Sequence, residues 1–197
     1  TEKSRIEAIY KSIPSQLGNT SNKFQYSKIN SNARSRDYES AMQWLISSNM
    51  VYKCNLLKSI QIPPKAYCDD ETFKLYLSDV GLLTSLLEIK YNDILLDNPF
   101  LYKGNIAENY IAQTFVRNNI TLYYWKSKSD AEVDFILYNE DGLIPVEVKA
   151  SSNVMSKSLS NYIKRYNPKY SIRISTKNFG YENNIKSIPL YAAFLIK

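Results

Sequence analysis

Two alternating segments joined by a turn constrain this chain more than any other feature. In residues 132–138 the apolar Val133, Phe135 and Leu137 point one way, and Glu132, Asp134 and Ile136 the other. In residues 143–150, Ile144, Val146, Val148 and Ala150 form the apolar face, while Pro145, Glu147 and Lys149 share the opposite one. Asn139-Glu140-Asp141-Gly142 between them is a hairpin signal. If those four residues form the loop, Tyr138 pairs with Leu143, Asp134 falls opposite Glu147 and Glu132 opposite Lys149. If Asp141-Gly142 is instead a two-residue turn, Asp134 meets Lys149 in a plain ion pair. The first register is preferred. It sets two carboxyls against each other on one face, which is repulsive unless a lysine, a shared proton or a bound cation compensates.

Composition narrows the chemistry available to such a pair. The 197 residues contain no histidine, which removes Ser-His-Asp and Cys-His catalysis and His-ligated zinc. Cys54 and Cys68 are too few for a four-cysteine zinc site and read as buried thiols of a cytoplasmic protein. None of the five glycines lies in a GxxxxGK or GxGxxG pattern, so no ATP site is expected in this chain. No apolar run approaches 18 residues, so no membrane span is expected. What survives is carboxylate, lysine and hard-metal chemistry. Asp134, Glu147 and the Val148 carbonyl form an oxygen-rich set that would suit a hard divalent ion, leaving positions for water and phosphate.

The net charge of +6 is unevenly spread. Residues 150–197 hold eight Lys/Arg, including Lys157, Lys164 and Arg165, against one acid, Glu182. Residues 24–68 hold six Lys/Arg and two acids. Either patch suits a polyanion, and equally suits the solvated surface of a mildly basic protein. The 17 tyrosines are read as compositional bias rather than as stacking platforms.

The remaining pattern assigns elements around the hairpin. A first helix should end near Ser12, ahead of Pro14. A second runs from Ser35 to Ser48, with Ser35 as its cap. Residues 50–54 and 60–62 read as a two-stranded ribbon, so helices plus ribbon outline a winged helix. Residues 73–79 alternate like a strand, 80–87 are helical, and 88–102 read as a linker. Residues 105–118 are helical, 121–126 form a strand, 156–166 a helix and 170–176 a last strand. The strand–helix–strand unit requires parallel pairing. Glu108 lies at the edge of the apolar face of its helix, where a charge should have a partner.

The helix with Glu108, then Glu132-Val133-Asp134-Phe135, then Val146-Glu147-Val148-Lys149-Ala150 resembles the PD-(D/E)XK superfamily of restriction-endonuclease-like nucleases. Phe73-Lys74-Leu75-Tyr76-Leu77-Ser78-Asp79-Val80-Gly81-Leu82-Leu83, Gly104-Asn105-Ile106-Ala107-Glu108-Asn109, Tyr123-Tyr124-Trp125-Lys126-Ser127 and Ile144 to Ala150 resemble the C-terminal region of archaeal and bacterial AAA-type P-loop ATPases. The resemblance implies an α+β or α/β chain: a restriction-endonuclease-like αβββαβ core preceded by a small winged-helix-like domain. It implies an ATPase-lid tail at 1–20, the winged helix at 21–72, a connecting segment at 73–103 and the nuclease-like domain at 104–197. It further implies Asp134 and Glu147 as Mg²⁺ ligands, Lys149 as the residue positioning water or stabilising charge, and Glu108 completing the metal shell or orienting water. Lys126, Lys157, Lys164 and Arg165 are the candidate nucleic-acid contacts. An N-terminal ATPase domain is the expected partner in a parent protein. Val133 departs from the superfamily pattern, which has proline there. Trp125 is expected to be structural.

Overall fold

The computed structural model describes residues 1–19, 22–95, 102–128, 131–151 and 156–197. Its elements are α1 (Glu2–Leu17), α2 (Ser35–Ser47), β1 (Val51–Leu57), β2 (Cys68–Leu77), α3 (Val80–Leu86), α4 (Tyr91–Leu95), α5 (Lys103–Arg117), β3 (Tyr123–Lys126), β4 (Glu132–Val133), β5 (Phe135–Asn139), β6 (Gly142–Val148), α6 (Lys157–Tyr166), β7 (Ser171–Ser175), β8 (Gly180–Glu182) and β9 (Ile185–Pro189). Three short 3₁₀ segments, at Tyr26–Lys28, Pro64–Tyr67 and Leu190–Leu195, complete the order.

α1 does not stop before Pro14 as expected. Pro14 removes one hydrogen bond, but Ile9, Ile13, Pro14 and Leu17 are all buried, so packing of that stripe carries the helix to its Gly18 cap. α2 begins at Ser35 itself. Arg34 is the cap residue and makes no side-chain cap bond, while Ala41, Met42 and Leu45 form the buried stripe. The ribbon after α2 exists, with a different second strand. Residues 60–62 lie in the connection, and β2 pairs antiparallel with β1 from Leu57↔Cys68 to Val51↔Leu77. β2 therefore runs through the boundary expected between residues 72 and 73. The ribbon is not a free-standing wing either, because β1 also pairs in parallel with β3 at Asn55↔Tyr123 and Leu56↔Tyr124. Of the expected linker, Tyr91–Leu95 is helical and residues 96–101 lie outside the described residues, as do 20 and 21 at the expected junction of the first two regions.

Among the described residues the fold is mixed α+β with two mixed sheets and no barrel. One sheet has the order β2-β1-β3-β4 and the other β5-β6-β7-β9-β8. The hairpin adopts the preferred register: Tyr138 pairs with Leu143, and the ladder continues to Asn139↔Gly142, leaving Glu140 and Asp141 at the turn. Gly142 sits at φ +100°, a conformation that favours glycine, and Asn139 Oδ1 accepts the Asp141 N–H at 2.9 Å. β6, α6 and β7 form the parallel crossover unit, with Val146↔Ile172 and Val148↔Ile174 in register. α5, β3, β4/β5, β6, α6 and β7 follow the expected order of helix, three strands, helix, strand.

The middle strand of that series is broken at Asp134. β4 belongs to the first sheet and β5 to the second, so the chain changes sheets at this residue. The expected strict alternation fails there. Val133 packs with Ile136, Trp125 and Tyr162, whereas Phe135 and Leu137 join the main core with Phe115, Ile144 and Val146.

Candidate functional site

The junction of the two sheets gathers four acids and two lysines. α5 brings Glu108, β4 brings Glu132, the break after β4 brings Asp134, and the end of β6 brings Glu147 with Lys149 beyond it. The sixth group comes from the N-terminal half: Lys74, on β2, is fully buried.

Lys74 organises one side of the junction. Its Nζ lies 2.9 Å from Glu108 Oε1 and 2.6 Å from Glu132 Oε1, and 4.9 Å from the centre of the Tyr124 ring. The Tyr76 hydroxyl, two residues along the same strand, also donates to Glu108 Oε1. Burial works against the Lys74 ammonium, but Glu108, Glu132 and Asp134 outweigh it and hold its pKa well above the ordinary lysine value. The expectation that Glu108 has a partner is met by these contacts. Glu132 departs from the expected register. It pairs with Lys126 across β3–β4 rather than lying opposite Lys149, and its second oxygen is 3.8 Å from Lys126 Nζ. The cause is the chain's change of sheet at Asp134.

The helix α5 is locked to β2 by more than Glu108. Asn109 accepts the Leu77 N–H at 2.9 Å and donates to the Leu77 carbonyl at 3.0 Å, and Gln113 accepts the Val80 N–H at 2.9 Å. Asn109 thereby satisfies both backbone groups of Leu77 at the buried end of β2, and Gln113 an N–H at the start of α3.

On the other side, Asp134 Oδ2 accepts the Val148 N–H at 2.7 Å, which ties the broken strand to the end of β6. Burial, then the charges of Glu108 and Glu147, push the Asp134 carboxyl well above the usual carboxylate range, with Lys74 and the Val148 N–H opposing them. Glu147 is 3 % exposed. Its Oε1 accepts from Lys149 Nζ at 2.7 Å and from Ser156 Oγ at 2.8 Å, while its Oε2 is buried without a hydrogen-bond partner. Ser156 also caps α6, accepting the Leu159 N–H at 3.1 Å, so one hydroxyl joins the helix start to the acid. Lys149 is half-buried. Burial disfavours its ammonium, yet the Glu147 hydrogen bond and the charges of Glu147, Asp134 and Glu108 raise its pKa above the ordinary value. It is a fixed positive charge at neutral pH, not a base.

Among the described residues no group of three or more His, Cys, Asp or Glu side chains is arranged to hold a metal ion. The smaller set, Asp134 with the orphaned Glu147 Oε2, still fits a hard divalent cation. Magnesium is commonly held by one or two carboxylates with water and phosphate filling its remaining positions. A buried carboxyl oxygen without a donor is a lone pair in need of positive charge. Three surface clefts, of about 530, 750 and 380 Å³, are lined by other residues.

Of the candidate nucleic-acid contacts, Lys157, Lys164 and Arg165 are exposed on α6, seven and eight residues apart, which puts them on one side of that helix. Lys126 is half-buried beside Glu132. Trp125 is buried as expected, packed edge-on against Tyr162 and Tyr166, with its indole N–H donating to the Tyr166 hydroxyl at 3.2 Å. Cys54 is buried and its thiol pushed well up by burial; both cysteines are free. No helix among the described residues is long and apolar enough to cross a membrane.

Sequence reasoning missed Lys74, Tyr76 and Ser156. A signal for the first was present, since a lysine inside Phe73-Lys74-Leu75-Tyr76-Leu77 is a charge in an otherwise buried strand.

No curated protein and no solved structure matches the chain significantly. Residues 1–93 match the model of a family described as Domain of unknown function (DUF8612), and residues 103–193 match that of a second, Domain of unknown function (DUF4143).

Proposed function

We propose that the junction is the site of a metal-dependent nuclease-like domain that hydrolyses phosphodiester bonds of DNA, with the restriction-endonuclease-like αβββαβ core lying in residues 104–197. In this reading the chain is the C-terminal part of an AAA-type ATPase. The observation that carries it is Glu147 Oε2, buried and unpartnered beside an Asp134 carboxyl whose ionisation is opposed by burial and then by its acidic neighbours. A pair with that deficit of positive charge suits a hard cation better than it suits an apolar core.

Asp134, Glu147 and the Val148 carbonyl would hold Mg²⁺ or Mn²⁺, which when bound supplies a Lewis acid that acidifies water and offsets charge on the phosphate. The chain's own groups do the rest. The Val148 N–H fixes Asp134, and Ser156 with Lys149 fixes Glu147. The Lys149 ammonium stays protonated and stabilises negative charge developing on the phosphoryl oxygens. Lys157, Lys164 and Arg165 attract the DNA backbone.

A second reading is favoured by one observation of its own. Lys74 already neutralises part of the acid group from within the chain. That supports a non-catalytic module, binding DNA or protein and regulating an attached ATPase.

Supercoiled plasmid with Mg²⁺ or Mn²⁺ separates the two. Metal-dependent nicking that falls by about two orders of magnitude or more in both Asp134→Ala and Lys149→Ala is the expected result. Absence of nicking by the wild type, with salt-sensitive DNA binding that survives both substitutions, overturns the hydrolase and leaves the module.

A further inference from the structure

We infer that Lys74 occupies the place of a second cation, so that the junction takes one divalent ion, on Asp134 and Glu147, and that Glu108 serves Lys74 rather than the metal. The single-ion part rests on the metal reading proposed above; the role of Lys74 comes from the contacts themselves.

The argument is one of charge and of lone pairs. Four acids meet at the seam, and two of them are already taken. Glu108 Oε1 receives both the Lys74 ammonium and the Tyr76 hydroxyl, and Glu132 Oε1 receives the same ammonium at 2.6 Å, with Lys126 at its other oxygen. An ammonium bridging two carboxyls in the interior does the electrostatic work of a small cation. Lys74 is fully buried, Tyr124 faces it from β3 and Cys54 lies beside it on β1, and among the described residues its ion pairs within 4 Å are with Glu108 and Glu132. A metal entering between Glu108 and Glu132 would have to displace a buried ammonium that both carboxyls already hold, and so strand that charge in the interior. Asp134 and Glu147 differ. Lys149 is half-buried and holds only Glu147 Oε1, and Oε2, in a side chain 3 % exposed, has no donor. The unmet demand for positive charge at the seam is therefore confined to one place.

The assignment also makes the N-terminal half part of the site. Lys74 and Tyr76 lie on β2, within the residues that match the first family, while every acid they serve lies within the residues that match the second. The counter-ion of one region is thus supplied by the other.

Calorimetric titration of the full chain with Mn²⁺ alone, without nucleic acid, tests this. The wild type should bind one ion. Glu147→Gln should weaken that binding at least tenfold, which separates the seam from adventitious surface sites. Glu108→Gln, which leaves Lys74 with Glu132, should keep one ion with an affinity within about threefold of the wild type. Two ions on the wild type, no ion at all, or loss of the ion in a folded Glu108→Gln variant overturns the inference. The hydrolase reading fails separately: a wild type that binds one Mn²⁺ and never nicks DNA rejects catalysis and retains the single-ion site.

Discussion

The two sides of the sheet junction are built from the same residue types and reach opposite states. On one side Lys74, Tyr76, Glu108 and Glu132 form a closed set: Lys74 bridges the two acids, and Tyr76 donates to Glu108. On the other, Asp134, Glu147 and Lys149 leave a buried oxygen without a donor. The difference lies in where the ammonium comes from. Lys74 is anchored on the buried C-terminal half of β2, whereas Lys149 stands past the end of β6, half in solvent, and covers one oxygen. A lysine inside a strand becomes part of the scaffold, and a lysine past its end stays available to a ligand.

That contrast predicts the largest effect at Lys74. Removing one partner of a buried ion pair strands the other, so Lys74→Met should destabilise the protein by about 3–5 kcal/mol. Urea unfolding measures it, and a loss under about 1 kcal/mol would mean that the closed side is no more committed than the open one. Adding Glu108→Gln to Lys74→Met should recover part of the loss, because the stranded acid is then neutral. A double-mutant cycle gives the coupling.

Ser156→Ala comes next. It removes the cap of α6 and one of the two donors to Glu147 Oε1, for an expected loss of about 1 kcal/mol. A Ser156→Asp variant would retain the cap while adding a fourth charge to the open side, so it should lose more stability than Ser156→Thr. Equal losses would break the claim that this side already lacks positive charge.

Smaller still is Asp134→Asn in the metal-free protein. Asparagine can still accept the Val148 N–H through its carbonyl and removes a carboxyl whose ionised form is opposed by burial and by Glu108 and Glu147. Stability should stay within about 1 kcal/mol of the wild type or rise. A larger loss would show that the Asp134 charge is well compensated, and the contrast between the two sides would go with it.

The hairpin was legible because its information is local. Alternation and the Asn139-Glu140-Asp141-Gly142 turn fix a register that holds from Phe135↔Val146 to Asn139↔Gly142. α5 and α6 were legible for the same reason, through apolar spacing. What escaped was non-local. Nothing near Asp134 says that the chain changes sheets there, because that depends on β3 pairing with β1, some seventy residues away in sequence. The same pairing turns the expected wing into a sheet interior. Pro14 misled for the converse reason: the local cost of a proline is real, and the burial of Ile13 and Leu17 outweighs it. For the site, Asp134, Glu147 and Lys149 were visible as a motif, but the Glu108 partners were not, since Lys74 sits 34 residues upstream on a strand read as part of a connection.

An exposed pair offers the weakest test and the cleanest sign. Lys169 Nζ bonds Asp141 Oδ1 at the hairpin turn, and that hydrogen bond, with the lysine's charge, holds the Asp141 carboxyl below its usual range. A carboxyl lowered in the folded state stabilises it above the unfolded value of about 3.9, and the contribution is lost as pH falls through the lower folded value. Asp141→Asn should therefore cost a little stability at pH 7, less at high salt, and nothing once the pH lies below both values. The Lys74 pair, shielded from solvent, should show no such salt dependence in the Lys74→Met loss. Unfolding curves at low and high salt for both variants compare them directly. If the two losses respond to salt alike, Lys74 is screened as a surface charge would be, and the distinction between an internal counter-ion and an ordinary ion pair fails.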